Sequence, residues 1–342
     1  MKRLVTMVAA AALVLGLAAC GGSGSGTSGC SKTYQVGLVT DVGKITDKSF
    51  NENSWQGVQD AVKANRCISA KYIETAQQSD YQKNLGEFAS YDMVIAVGGA
   101  MATDAGTFAK DHPKLAVVTV DGNPKPASSN VTRLVFQEDQ PGFLVGALAA
   151  QMSKSGIIGA VVGLQSIDPV VRYAKGYENG AKYVNPNIQV KILYQGPGDG
   201  EPFNNPSWGK SSAQQEIAQG ADVIFGGGGN TGNGALVGAK EKNLPCIGVD
   251  VDQYYSYPDV DSCLLTSAEK HLAPAVEQAV LDGAAGKLKG EMRVYNMANG
   301  GVGMAPYHEW DGKVPADVKS KMKDIESKLA GGTIKTGVSI PF

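Results

Sequence analysis

Hydrophobic positions along the chain form short β-branched runs, which alternate with longer segments of helical periodicity. The short runs predict strands, and the segments between them predict helices. This alternation is typical of a parallel sheet covered by helices on both faces. The predicted strands are residues 34–40, 70–74, 93–97, 115–121, 223–225, 247–250 and 264–267.

One unit of this pattern occurs twice: a strand, a glycine turn, a helix and a second strand that ends in Val-Asp. The first glycine of the turn precedes Asp121 by 23 residues in one copy and precedes Asp250 by 24 residues in the other. The repeat predicts an α/β fold with two doubly wound parallel-sheet lobes and a cleft between them, as in type I periplasmic binding proteins.

The chain is expected to cross between the lobes near Lys154, Ser267 and Gly300. The first lobe would then comprise residues 34–154 and 268–300, and the second lobe residues 155–267 and 301–342. Residues 314–329 are expected to form an outer helix on the second lobe.

The N-terminus has the pattern of a lipoprotein signal. Lys2 and Arg3 precede an apolar run that ends in Leu-Ala-Ala-Cys20, and a Gly/Ser/Thr segment follows. We therefore expect a signal peptide over residues 1–19, lipidation at Cys20 and a tether over residues 20–33. An ordinary cleaved signal with an incidental cysteine is the alternative. The prediction is a lipid-anchored protein on the extracytoplasmic face of the cell membrane, where capture of a ligand is commoner than its conversion.

The formal net charge of −2 becomes more negative when a signal containing Lys2 and Arg3 is removed. No basic surface for nucleic acid or anionic lipid is therefore expected. The three histidines are scattered and no Cys/His metal spacing is present, so neither a metal nor a cofactor is predicted.

Four cysteines remain besides Cys20, an even number that predicts two disulfides in an oxidising compartment. Each stands just before a predicted strand, which favours local pairing at the strand ends, although the sequence leaves the connectivity open. These residues are Cys30, Cys67, Cys246 and Cys263.

In doubly wound sheets, ligands bind at the carboxyl ends of the strands. The segments that follow the predicted strands should therefore line the cleft. They are residues 41–51, 98–100, 121, 196–210, 226–232 and 250–253.

Among these segments, Phe50 begins a predicted helix, where its ring either covers one face of a planar ligand or starts the helix core. Asp47 and Ser49 have an alternative role as helix caps, which is favoured for Asp47, and Asn51 has the groups to bond a base edge. A second ring is offered by Phe203 or Trp208. Their loop, residues 196–209, is alternatively a solvated insertion.

Three carboxylates, those of Asp41, Asp121 and Asp250, each end a predicted strand. An ionised carboxylate accepts two hydrogen bonds and therefore suits sugar hydroxyls. The alternative is that each merely caps the next turn. Lys270, taken alone, has the pattern of a surface lysine.

Residues 227–232 also fit the Gly-x-Gly-x-x-Gly dinucleotide fingerprint, which makes an oxidoreductase the rival interpretation from another functional class. The motif lies on a later strand rather than at the start of a nucleotide domain, and its first-half counterpart lacks the pattern. No Walker loop or Gly-x-Ser-x-Gly elbow is present. A nucleoside hydrolase remains formally open.

The segment DVGKITDKSFN at residues 41–51, together with GVDVDQ at 248–253, resembles the basic-membrane-protein family of lipoproteins, the substrate-binding components of ABC importers. The resemblance extends through GFLVGALAA at 142–150, GADVIF at 220–225 and Thr266-Ser267 with Lys270. It implies a monomeric binding protein, not an enzyme, that captures a purine nucleoside and delivers it to permease subunits. Relatives that bind another flat ligand, such as riboflavin, are the alternative.

The resemblance also assigns roles to individual residues. It implies that Asp250, Lys270 and Gly229 hold the ribose, that Asp121 contacts the base, and that Asp41 lies nearby. It favours Phe203 over Trp208 as the second ring and supports stacking by Phe50. The complete predicted ligand set is Asp41, Ser49, Phe50, Asn51, Asp121, Phe203, Gly229, Asp250 and Lys270.

Overall fold

The computed structural model describes residues 29–342. The predicted signal peptide, Cys20 and most of the predicted tether therefore lie outside the described residues. The strands of the described part are β1 Tyr34–Val42, β2 Ile68–Thr75, β3 Met93–Val97, β4 Ala116–Val120, β5 Val131–Phe136, β6 Ile157–Leu164, β7 Gln189–Gln195, β8 Ile224–Gly227, β9 Cys246–Asp250, β10 Leu264–Lys270, β11 Met292–Tyr295 and β12 Val302–Met304. The α-helices are α1 Phe50–Ala64, α2 Tyr81–Gly86, α3 Ala102–Asp111, α4 Asp139–Met152, α5 Asp168–Val184, α6 Pro206–Ala218, α7 Gly229–Glu241, α8 Gln253–Ser256, α9 Leu272–Ala284 and α10 Ala316–Ala330.

The strands form two six-stranded sheets within residues 29–342. The first has the order β2-β1-β3-β4-β5-β11, and all its pairings are parallel. The second has the order β7-β6-β8-β9-β10-β12, and only β12 is antiparallel. The first five strands of each lobe thus follow the same doubly wound order, 2-1-3-4-5. The predicted fold of two similar parallel-sheet lobes is confirmed.

The lobes differ in one boundary from the sequence-based expectation. Helix α4 packs against α5 and the core of the second sheet. The packing is close because Gly146 lies against the Tyr177 carbonyl, where a Cβ atom would come within 2.0 Å of that oxygen. The first crossover therefore lies between β5 and α4, at Gln137–Glu138, rather than near Lys154.

The other two crossovers lie close to the predicted positions. The chain passes from β10 in the second sheet to α9, which packs against α1 on the first sheet. It then returns between β11 and β12, around residues 296–301. Helix α10 packs on the second lobe through Val318, Met322 and Leu329. The crossover segments lie side by side, since Gln137 N–H donates to the Tyr295 carbonyl at 2.9 Å.

Two disulfides close the amino ends of neighbouring strands. Cys30 bonds to Cys67 beside β1 and β2, and Cys246 bonds to Cys263 beside β9 and β10. The local pairing that the sequence favours is therefore the pairing present. In the part of the chain that the structure covers, no helix combines the length and apolar character that a bilayer crossing needs.

Candidate functional site

A cavity lined by residues of both lobes lies between the carboxyl ends of the two sheets. Its position, at the carboxyl ends of parallel strands, is where doubly wound folds bind small molecules. Eight of the nine predicted ligand residues line it: Asp41, Phe50, Asn51, Asp121, Phe203, Gly229, Asp250 and Lys270. The ninth, Ser49, lies behind the wall and donates its hydroxyl to Asp250 Oδ2 at 2.5 Å.

Two aromatic rings face the cavity from opposite lobes. Phe50 is the first residue of α1 and is half-buried, and Phe203 belongs to the loop before α6. The Phe203 ring lies so close to Gly163 that a Cβ atom there would come within 2.2 Å of Cε1. Trp208, the alternative second ring, packs instead against the core under α6 and does not line the cavity.

The turn that presents Phe50 is held by Asp47. Its carboxylate accepts the backbone N–H groups of Ser49, Asn51 and Glu52 at 2.9–3.1 Å. These are groups that the first turn of a helix leaves without partners. Burial raises the pKa of Asp47 to about 6, although the three N–H groups oppose the shift. Asp47 therefore has the capping role that the sequence favours, and it also lines the cavity.

The same turn joins the lobes. The Asp47 carbonyl accepts Asn233 Nδ2 at 2.8 Å, and the Lys48 carbonyl accepts Ser256 Oγ at 2.8 Å. Asn233 and Ser256 both belong to the second lobe. Together with the bond between Ser49 and Asp250, these contacts hold the first turn of α1 against the opposite lobe.

Asp41 is satisfied mainly by its own lobe. Its Oδ1 accepts the Val42 N–H at 2.6 Å and the Tyr81 hydroxyl at 2.5 Å. Burial raises its pKa to about 6, and these two donors moderate the shift. Gly98 lies so close that a Cβ atom would come within 2.3 Å of Asp41 Oδ2.

The two repeated aspartates share an uncommon backbone conformation. Asp121 has φ 61° and Asp250 has φ 66°, both in the left-handed region that few side chains other than Asn and Asp adopt. Each follows or ends the fourth strand of its lobe. The duplicated Val-Asp pattern thus produces the same turn twice, and it places both carboxylates at the cavity.

Lys270 is buried, with its side chain only 2% exposed, and it is not a surface lysine. Its Nζ donates to Asp121 Oδ2 at 2.6 Å and to Glu138 Oε1 at 3.1 Å. Glu138 Oε2 in turn accepts Arg172 Nε at 2.6 Å. Four charges of alternating sign therefore run from the cavity wall into the second lobe.

Burial alone would lower the pKa of Lys270, but the nearby carboxylates of Asp121, Glu138 and Asp250 outweigh it and hold that pKa above its usual range. Burial raises the pKa of Asp121 to about 7, and the Lys270 ammonium opposes the shift. The Lys270 ammonium also lies 5.1 Å from the centre of the Phe50 ring, a cation–π contact. Lys270 thus contacts both the buried carboxylates and the Phe50 ring.

Two acceptor atoms of the cavity residues are buried and have no hydrogen-bond partner among residues 29–342. They are Asn51 Oδ1 and Asp121 Oδ1. Buried acceptors in this condition are uncommon, because each has lost its hydration without replacement. Both are available to a ligand that carries N–H or O–H donors.

Sequence reasoning missed Glu138, Arg172 and Tyr173. Glu138 lies in the first crossover, which the sequence places elsewhere, and Arg172 belongs to the second turn of α5 rather than to a strand end. Tyr173 lines the cavity from α5, beside Arg172. The one available signal was a helix face carrying an arginine among apolar residues, which indicates a buried ion pair.

The glycine fingerprint has a structural explanation. Of the fingerprint glycines, Gly229 has φ 55°, in the left-handed region, and a Cβ atom on Gly232 would come within 3.0 Å of the Gly226 carbonyl carbon. A Cβ atom on Gly226 would come within 2.5 Å of the Gly232 carbonyl oxygen. These glycines therefore allow β8 to turn into α7, and they require no dinucleotide.

Comparison with known proteins places this geometry in context. The family model for "ABC transporter substrate-binding protein PnrA-like" matches residues 34–338. The chain is similar to the "ABC transporter nucleoside-binding protein BmpA" of Lactococcus lactis subsp. cremoris, with 33% identity over 96% of this chain and 99% of that one. It is also similar to "Basic membrane protein A" of Borreliella burgdorferi, with 32% identity over 74% of this chain and 73% of that one.

Among solved structures, an ABC transporter solute-binding protein from Aeropyrum pernix K1 superposes with a TM-score of 0.80. The alignment covers 88% of this chain and 92% of that one, at 22% sequence identity. At this identity the likeness bears on the fold alone, and it agrees with the two-lobed architecture.

Proposed function

The chain belongs to the PnrA-like family of ABC transporter substrate-binding proteins, and from that premise we propose that it captures a purine nucleoside between its lobes and delivers it to an ABC permease. The family resemblance inferred from residues 41–51 and 248–253 is thereby confirmed. Because the family consists of substrate-binding proteins, the chain is not an enzyme, and the hydrolase and oxidoreductase interpretations are set aside.

The observation that carries the nucleoside assignment is the combination of two rings and two unsatisfied acceptors in one cavity. Phe50 and Phe203 approach from opposite lobes, an arrangement that suits a flat heterocycle, and stacking contributes about 1–3 kcal/mol per base. The free Oδ1 atoms of Asn51 and Asp121 would accept N–H donors from the edge of that heterocycle.

The ribose would lie against Asp250 and Lys270. A carboxylate accepts hydrogen bonds from hydroxyl groups, and an ammonium donates to them. The cavity wall carries the carboxylates of Asp41, Asp47, Asp121 and Asp250 but one ammonium, that of Lys270. This balance disfavours an anionic ligand such as a nucleotide, since burial strengthens repulsion between like charges.

We further propose that the protein is anchored by a lipidated Cys20, faces the extracytoplasmic side of the membrane and acts as a monomer. The support for the anchor and its side of the membrane is the N-terminal sequence, with its signal pattern, Cys20 and Gly/Ser/Thr segment. Labelled fatty acid should be incorporated by the full-length chain and lost in Cys20→Ala. Incorporation by that variant would contradict the anchor.

Isothermal calorimetry tests the ligand. We expect heat with inosine, guanosine or adenosine, and none with inosine 5′-monophosphate, which differs by its phosphate. Riboflavin is the comparison ligand, because its ribityl chain would need a longer pocket. Absence of heat with every nucleoside would refute the assignment, and release of free base from inosine would contradict a pure binding role.

A further inference from the structure

Glu138 is a buried carboxylate in a segment that connects the two lobes. It lies in the first crossover, immediately before α4, and its side chain is 0% exposed. Its backbone is fixed on both sides, because the adjacent Gln137 N–H donates to the Tyr295 carbonyl and the Glu138 carbonyl accepts the Gly142 N–H at 3.1 Å. Glu138 does not line the cavity, so it would not contact a bound ligand.

Both oxygens of Glu138 are used by buried cations. Oε1 accepts Lys270 Nζ at 3.1 Å, and Oε2 accepts Arg172 Nε at 2.6 Å. Arg172 is itself 4% exposed. A buried ammonium is tolerated only when it is well paired, and removal of one partner leaves an uncompensated charge. Without Glu138, both Lys270 and Arg172 would lose a carboxylate partner.

We infer that Glu138 is a positioning residue of the binding site, which holds the Lys270 ammonium at the cavity wall from behind. The inference rests on the proposed function, since it takes Lys270 to contact the sugar hydroxyls. Without Glu138, the ammonium would keep Asp121 as its one hydrogen-bond partner and would no longer be fixed from behind in the position where it meets the ligand. Arg172, through its own bond to Glu138, keeps that carboxylate from rotating.

The first test compares two ligands that differ only at the sugar. Glu138→Gln should weaken inosine binding at least tenfold, and it should weaken 2′,3′-dideoxyinosine binding less than threefold, because the second ligand lacks the hydroxyls that Lys270 would meet. The matched control is Asp139→Asn, which changes the next carboxylate; Asp139 bonds to Thr336 and does not touch Lys270. The affinity of Asp139→Asn for each ligand should stay within twofold of that of the unmodified protein.

Unchanged inosine affinity in Glu138→Gln would overturn the inference, as would an equal loss for both ligands, which is the result of a merely structural role. If circular dichroism shows that Glu138→Gln is unfolded, Glu138→Asp carries the same test. It retains the charge but falls one methylene short of Lys270. A smaller loss confined to inosine supports the inference, and equal losses overturn it.

A ligand-free measurement separates this inference from the nucleoside assignment. The charged groups that face Lys270 are Asp121, Glu138 and Asp250; Arg172 lies behind Glu138, and the Tyr173 ring lies beside the ammonium. In ¹⁵N-lysine-labelled protein, the Lys270 ammonium should give a protected signal, assigned by its disappearance in Lys270→Arg. Glu138→Gln should shift or broaden that signal. An unmoved signal overturns the inference, whereas a moved signal in a protein that binds no nucleoside overturns only the proposed function.

Discussion

The lobes meet partly through hydrogen bonds that lie outside the cavity, and Ser256→Ala isolates one of them. Ser256 Oγ donates to the Lys48 carbonyl at 2.8 Å across the gap between the lobes. A neutral hydrogen bond of this kind contributes about 0.5–1.5 kcal/mol net. Its loss disfavours the arrangement in which the two lobes are in contact by that amount, and the Kd for inosine should rise about two- to twelvefold. The rise should come mainly from faster dissociation, because the lost contact forms only after the lobes meet.

Calorimetry with inosine and stopped-flow dissociation measure the two quantities. Ser211→Ala is the matched control, since Ser211 Oγ also donates to a backbone carbonyl, that of Ser207, but within α6 of one lobe. It should leave both the Kd and the dissociation rate unchanged. Equal behaviour of the two serine variants would refute the reasoning, because the bond between the lobes would then contribute nothing to ligand retention.

Three further changes test other parts of the structure. Phe50→Ala should weaken inosine binding by about 1–3 kcal/mol, whereas Trp208→Phe should leave the Kd from calorimetry within twofold of the unmodified protein's. A larger loss of affinity in Trp208→Phe than in Phe50→Ala would remove Phe50 from the site. Gly163→Ala should displace the Phe203 ring, because its Cβ would come within 2.2 Å of Cε1, and unchanged inosine affinity would show that the ring does not stack. The Glu216 carboxyl is buried, and burial raises its pKa from an ordinary 4.5 to about 9, although the Ala160 N–H opposes the shift. The stability linked to its neutral form is present below pH 4.5 and is lost as the pH rises toward 9. In denaturant titrations over that range, the free energy of unfolding of Glu216→Gln should therefore gain several kcal/mol relative to that of the unmodified protein. The same pH dependence in both proteins would contradict this.

The fold could be predicted from the sequence because it is specified locally and twice. A β-branched run, a glycine turn and a Val-Asp ending produce the same backbone in each lobe, as the φ values of 61° at Asp121 and 66° at Asp250 show. The carboxyl-end rule for doubly wound sheets then brings strand ends together without any knowledge of long-range contacts. Seven of the nine predicted ligand residues line one cavity for this reason, whereas Lys270 is expected there from the family resemblance alone.

The surroundings of Lys270 could not be predicted in the same way. Its sequence neighbours, Glu269 and His271, are polar and typical of a surface segment. Its burial arises because carboxylates from separate segments, those of Asp121 and Glu138, converge on it. No spacing rule relates positions so far apart in the sequence.

The placement of α4 is a second case. Its residues are apolar along most of its length, and such a helix can cover either sheet. What selects the second lobe is the close approach to α5, where a Cβ atom on Gly180 would come within 1.9 Å of the Phe143 carbonyl oxygen. The glycines were visible in the sequence, but their partner helix was not. The sequence therefore places the first crossover too late, near Lys154, and does not single out Glu138.

The first turn of α1 explains why binding and closure should be inseparable in this protein. The Asp47 carboxylate caps the helix that presents Phe50, and the Asp47 carbonyl accepts Asn233 from the other lobe. The Ser49 hydroxyl, two residues later in the same turn, donates to Asp250, the carboxylate that we assign to the sugar. A ring fixed to this turn reaches its place opposite Phe203 only when these contacts form. A flat ligand that fills the space between the rings therefore stabilises the same arrangement that the hydrogen bonds between the lobes stabilise. The bound ligand strengthens the contact between the lobes, and that contact in turn slows release of the ligand.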